Sequence, residues 1–203
     1  MMTATKKNTI AGAQGSSERP LRADARRNVD TVVQSARKVF AESGVDAPMR
    51  EIATEAGVGV GTIYRHFPQR ADLIAAVFRH EVDACAAAAA QLLGQYAPGE
   101  ALDRWMQRYV DFIVAKRGLA SSLYSGAAAY EGLPTYFDKH LEPALQALID
   151  AAAASKEIRA DVSPNELLRA VANLCRPAGD DDPAQARLLV ALLVDGLRYR
   201  GTK

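Results

Sequence analysis

Residues 57 to 67 read GVGVGTIYRHF, which puts a hydroxyl (Thr62), a phenol (Tyr64), a guanidinium (Arg65) and an imidazole (His66) directly behind three glycines. Glycines in front of polar side chains suggest a loop that cradles phosphate, but both known forms of that chemistry fail here. A dinucleotide fingerprint needs G-x-G-x-x-G between a strand and a helix. Thr62 stands where its third glycine belongs, and the preceding segment is helical in pattern. A P-loop needs a Gly-Lys-Ser/Thr ending, and none follows. What remains is contact chemistry: donors that reach phosphates and base edges from a short helix.

The neighbouring segments must position such a helix. MREIATEA reads as a helix of about two turns that Gly57 terminates, and VGTIYRHF as a second one behind a glycine turn, which together form a helix-turn-helix. Val58 and Ile63 can pack inward, and Phe67 reads as a core staple. The face left over presents Val60, Gly61, Thr62, Tyr64, Arg65 and His66. A helix of this width fits the major groove of B-DNA. Glycine at 61 removes a side chain where backbone and DNA come closest.

The stretch IATEAGVGVGTIYRHFPQRADL resembles the DNA-binding signature of the TetR family of repressors. The resemblance is close over residues 49–74, and a first helix over 24–44 agrees in length and pattern. Helical periodicity along the chain gives an all-α fold of about nine helices, and the resemblance implies a DNA-binding role for Arg50, Val60, Gly61, Thr62, Tyr64, Arg65 and His66. Arg70 stands where the family usually has a lysine that grips the DNA backbone. Two departures are present: Gly59 replaces a common Ser cap, and Pro68-Gln69 replaces a more usual polar capping pair. Arg22, Arg26 and Arg27 at the start of the first helix oppose its dipole, so phosphate contact is one use for them and a solvated helix start is the other.

The 203 residues allow one sizeable domain or a small one joined to a larger, and 49% apolar with 24% charged is ordinary for a chain with a real core. Net charge is +1, but residues 1–70 hold 11 Lys/Arg against 7 Asp/Glu and residues 71–203 hold 14 against 17. A basic front and an acidic remainder fit two tasks on one chain. The expected division is a disordered arm over 1–21, a DNA-binding domain over 22–70 and a regulatory, dimer-forming domain over 71–203. Lys6 and Lys7 read as inert tail. No run approaches the ~20 apolar residues of a membrane span, and no signal-peptide pattern is present. Cys85 and Cys175 stand far apart, which fits a reducing cytoplasm, with neither a disulfide framework nor a zinc cage. The histidines lack metal spacing, so neither metal nor cofactor is expected, and no catalytic Ser-His-Asp order emerges.

Behind residue 70 every segment has helical periodicity. The segment starting at Arg70 is long and carries the stripe Leu73, Ile74, Val77, Phe78 and Val82. In the next, Trp105, Met106, Tyr109 and Phe112 form the richest aromatic stripe of the chain. Two readings of it stay open: plain core, or a small-molecule site completed by Leu123, Tyr124, Phe137 and Cys175. Residues 119–132 form a weaker helix candidate rich in small residues. Pro143 must kink its helix or mark its start. Ser163 and Glu166 form a capping box, and Asp182 and Gln185 repeat the device. The final helix is apolar nearly all round. A partner subunit covering Leu189, Leu192, Leu193 and Leu197, with Leu167 and Val171 of the helix before it, accounts for that.

These expectations combine into a homodimeric regulator on a palindromic double-stranded DNA operator, released by a small-molecule effector through a tilt of the fourth helix. The alternatives are a regulator without ligand and an all-helical enzyme using the cavity.

Overall fold

The computed structural model describes residues 18–117, 126–176 and 183–198. Among these, eight α-helices and one 3-10 turn account for the regular structure. They are α1 (Glu18–Ser43), α2 (Met49–Ala56), α3 (Val60–His66), α4 (Arg70–Leu93), α5 (Pro98–Arg117), α6 (Leu133–Ala154), α7 (Pro164–Leu174) and α8 (Pro183–Arg198). The 3-10 turn, Ala128–Tyr130, lies within the weak helix candidate at 119–132, whose remaining early part falls outside the described residues. Most of the arm, the Arg26 side chain, Leu123, Tyr124 and Asp182 also fall outside them.

α1 begins six residues earlier than the expected 24 and so takes in the end of the segment read as a disordered arm. Pro20 falls in its first turn, where the missing N–H has no helical partner to lose. Val32, Ala36 and Val39 are buried along one side of α1. Gly44 ends the helix with φ of +80°, a conformation open to glycine at little cost. Pro48 stands just ahead of α2, at its N-cap, and Gly57 ends α2 at φ +66° with its N–H returning to Ala53 and Thr54 carbonyls.

α4 begins on a local device of the sort that the Pro68-Gln69 departure put in question. The Gln69 N–H donates to the Asp72 carboxylate at 2.9 Å, so an orphan amide is satisfied and the acid sits in the first turn. Pro143 lies inside α6, so its role as the helix start is excluded, and the ladder bond to the Lys139 carbonyl is missing there. Ser163 caps α7 by accepting from the Glu166 N–H at 3.4 Å.

α4 is the organising element. It packs against α1 in front and against α5 and α6 behind, while α5 also contacts α7 and α8. One continuous core joins Ile52 and Ile63, through Leu73, Val77 and Val82, to Trp105, Leu145 and Val190. None of the described helices is long and apolar enough to cross a membrane.

Candidate nucleic-acid interface and regulatory cavity

α3 is held by two apolar anchors. Ile63 is fully buried and Phe67, at the C-cap, is nearly so, with its N–H bonded to the Ile63 carbonyl at 2.8 Å. With those residues turned inward, Gly61, Tyr64, Arg65 and His66 are exposed and Thr62 is half-buried. Tyr64 keeps 48% of its surface, large for an aromatic in a fold with a well-filled core. Val60 is divided: it is half-buried and packs against the core, so only part of it faces outward. The helix starts without a side-chain cap, because Gly59 offers only its carbonyl, which accepts from the Thr62 N–H at 2.9 Å.

Gly61 has no reason of its own in the fold. A methyl group there meets nothing within 4 Å, and its backbone is helical. Glycine is nonetheless among the poorest helix formers, about 1 kcal/mol below alanine.

α2 supports this face through its acids. Lys38 donates to Glu55 at 2.8 Å and Ser43 to Glu51 at 2.7 Å, so both carboxylates are turned towards α1. Arg50 stays exposed. Arg70, expected on DNA phosphate, also has an internal task that the sequence did not reveal. Its guanidinium donates to the Val45 carbonyl at 2.5 Å, tying the first residue of α4 to the loop between α1 and α2.

The aromatic stripe behind this front is packed solid. Trp105 and Met106 have no exposed surface, and the indole N–H donates to the Cys85 carbonyl at 2.8 Å. Tyr109, a member of the candidate ligand stripe, is buried and donates to the Leu168 carbonyl at 3.3 Å. Its ring stacks on Trp105 at 5.7 Å and on Phe112 at 6.1 Å. Cys175 is buried as well. Burial pushes the Tyr109 phenol far up, chiefly by desolvation, and the Cys85 thiol up to about 12 for the same reason.

Open space lies at the end of the stripe. A cavity of about 340 Å³ is bounded by α1, α4 and α5 and lined by Phe40, Val45, Phe78 and Phe112 among others. An adjoining one of about 260 Å³ is lined by Phe78, Tyr130, Leu133 and Phe137. Lys116 lines both, its ammonium 5.3 Å from the Phe78 ring centre and 5.6 Å from that of Phe137. Desolvation lowers its pKa from the usual lysine value. The sequence reading passed over this residue. The available signal was its position seven after Tyr109 and four after Phe112, a cation continuing an aromatic face.

The residues expected at a subunit interface divide into two groups. Leu167 and Val171 are buried in the protomer's own core, because α7 turns its apolar face towards α5 and α6, so they are not open to a partner. Leu189, Leu193 and Leu197 are half-buried, while Leu192 is 60% exposed and Leu188, one turn earlier, 61%.

Residues 32–77 match the family described as bacterial regulatory proteins of the tetR family, and residues 97–199 match the C-terminal domain of SbtR-like transcriptional regulators. A TetR transcriptional regulator from Streptomyces coelicolor has a similar structure, with 40% identity, a TM-score of 0.69 and coverage of 85% of this chain and 99% of its own. The chain belongs to the TetR family of transcriptional regulators. A TetR-family regulatory protein from Mycobacterium vanbaalenii is similar at 35% identity and a TM-score of 0.68, over 89% of this chain and 100% of that one. Helix-turn-helix regulators of Staphylococcus aureus are 41% identical over 64 residues, which span 31% of this chain and 35% of their own length. TetR-family proteins are DNA-binding regulators, not enzymes, and the all-helical enzyme alternative is set aside on that ground.

Proposed function

We propose that the protein is a ligand-responsive repressor acting as a homodimer on a roughly palindromic operator. The observation that carries this is the outward face of α3, where Gly61, Tyr64, Arg65 and His66 are exposed above the buried Ile63 and Phe67. Two such helices related by a dyad enter successive major grooves, which sets half-sites about one helical turn apart or somewhat more. Tyr64, Arg65 and His66 are of the kind that meet phosphates and sugars, and Thr62 with part of Val60 is of the kind that reads base edges and thymine methyls. Arg50, exposed on α2, is assigned to the flanking backbone, and Arg26 keeps the same role by the family resemblance alone. Such a regulator acts where the chromosome is, in the cytoplasm.

The dimer is proposed through α8. Leu188 and Leu192 stand one turn apart and expose most of their surface, a burden that a second copy of the same helix removes. Response to a small molecule is supported by the space at the end of the aromatic stripe. The sealed surroundings of Trp105 favour a second reading in that region alone, in which the stripe is core and ligand goes elsewhere.

Retention of a DNA fragment from upstream of the protein's own gene, measured by mobility shift at low and moderate salt, is the test. Wild type should retain it, Thr62→Ala and Tyr64→Ala should weaken it at unchanged helix content, and Arg65→Ala should lower the salt slope by about 1. Retention that is indifferent to all three substitutions contradicts the assignment of α3.

A further inference from the structure

We propose that the cavity between α1, α4 and α5 is the effector site, and that it takes a small apolar monocarboxylate whose charge sits on Lys116. This deepens the ligand-responsive reading above and rests on it. Phe40, Val45, Phe78 and Phe112 provide an apolar wall, and the volume of about 340 Å³ lies within the range of small-molecule sites. Lys116 is the exception in that wall. It is half-buried between two phenyl faces and, among the described residues, has no carboxylate partner. Arg37 and Glu81 also line the space, but they pair with each other at 3.4 Å. Asp138 lines the adjoining space without bonding Lys116. A desolvated ammonium held against rings gains most from an anion brought in with its own apolar body, because the ligand supplies the missing countercharge without adding water.

The location gives such a ligand a route to DNA. Val45 lines the cavity with its residue and accepts the Arg70 guanidinium with its carbonyl, so the loop ahead of α2 and the first turn of α4 share one bond beside the ligand. Filling the cavity separates α1 from α4 and α5, and the helix-turn-helix is displaced with the loop. Differential affinity of the ligand for the two arrangements then appears as altered DNA affinity.

The test uses the full chain and a panel of monocarboxylates, from octanoate to 4-phenylbutyrate, each paired with its neutral amide, read by calorimetry and by DNA retention. At least one acid should bind about tenfold or more tightly than its amide. Lys116→Met should remove that preference while raising the melting temperature of the free protein, and Ala41→Phe should block binding from the α1 side. Tyr109→Phe should leave binding intact. The assignment is overturned if no acid binds better than its amide, or if Lys116→Met and Ala41→Phe bind as wild type does. Loss of binding in Tyr109→Phe alone moves the ligand into the aromatic stripe and overturns this site while sparing ligand response. Binding that leaves DNA retention unchanged overturns the coupling, and a protein that retains no DNA at all fails at the earlier reading instead.

Discussion

Replacing Gly61 with alanine separates the needs of the fold from those of function. The position is the second residue of α3, and beyond the helix's own backbone a Cβ there meets nothing within 4 Å. The fold therefore gains from alanine without steric cost. Helix propensity favours the change by up to about 1 kcal/mol, and nearness to the helix end trims it to roughly 0.5–1 kcal/mol. For a chain of this size that raises the melting temperature by about 1–4 °C. On DNA the sign reverses, because the added methyl occupies the gap between helix backbone and duplex. Overpacking of a tight contact costs about 1–3 kcal/mol, so operator affinity should fall about fivefold or more. Thermal melting by circular dichroism and mobility-shift titration on the same preparation measure both. Unchanged DNA affinity in a stabilised variant refutes close approach at Gly61, and a destabilised variant refutes the claim that the fold leaves the space empty.

Three other perturbations follow from the same coordinates. Leu192→Glu puts a charge on a side chain the protomer leaves 60% exposed, so monomer folding should be spared. Two lost leucine burials per dimer, each of about 60% of the side chain, weaken association by about 2–4 kcal/mol, and sedimentation velocity at micromolar protein should show monomer. Arg70→Ala leaves the Val45 carbonyl without its donor and should cost about 1 kcal/mol in urea unfolding, whether or not DNA is present. Cys85 gives a pH dependence: burial raises its thiol to about 12 in the fold, so the native state holds a proton that the unfolded chain releases near its ordinary value of 9.0. Stability from this group is complete below pH 9 and declines as pH climbs towards 12. Cys85→Ala should flatten that alkaline decline in urea titrations.

The DNA-binding end was legible because its constraints are local. Gly57 must turn the chain with positive φ, Ile63 and Phe67 must be apolar at fixed spacing, and the remaining positions follow from helix geometry. All of this is written within some twenty consecutive residues. The C-terminal part was less legible because its decisions are made between distant segments. Periodicity marks Leu167 and Val171 as apolar but cannot say whether α5 or a second chain covers them, and the answer is the protomer's own core. The same ambiguity concealed Tyr109, whose hydroxyl looked free for a ligand until α7 brought the Leu168 carbonyl to it. Arg70 illustrates a third kind of loss, since its bond to Val45 crosses 25 positions and leaves no pattern in sequence.

The proposed control of α3 by the rest of the chain depends on how α1 is joined to α4. Among the described residues, two side-chain links between them lie towards solvent: Gln34 to the His80 ring at 3.0 Å and Arg37 to Glu81 at 3.4 Å. Such exposed polar pairs are worth only fractions of a kcal/mol to about 1 kcal/mol each, so they resist displacement weakly. Burial of Val32, Phe40, Val77 and Phe78 supplies the stronger attraction, yet part of this apolar surface faces the cavity and not another helix. A seam held by dispersion around an unfilled space is one that a bound molecule can reset by 1–3 kcal/mol, the usual size of a coupling free energy. α3 is only seven residues long and is fixed through the buried Ile63 and Phe67, so in the proposed response it is carried along with α1 and α2. In that proposal the short α3 and the loosely filled seam are two parts of one requirement: a rigid reading head on a joint that small energies can shift.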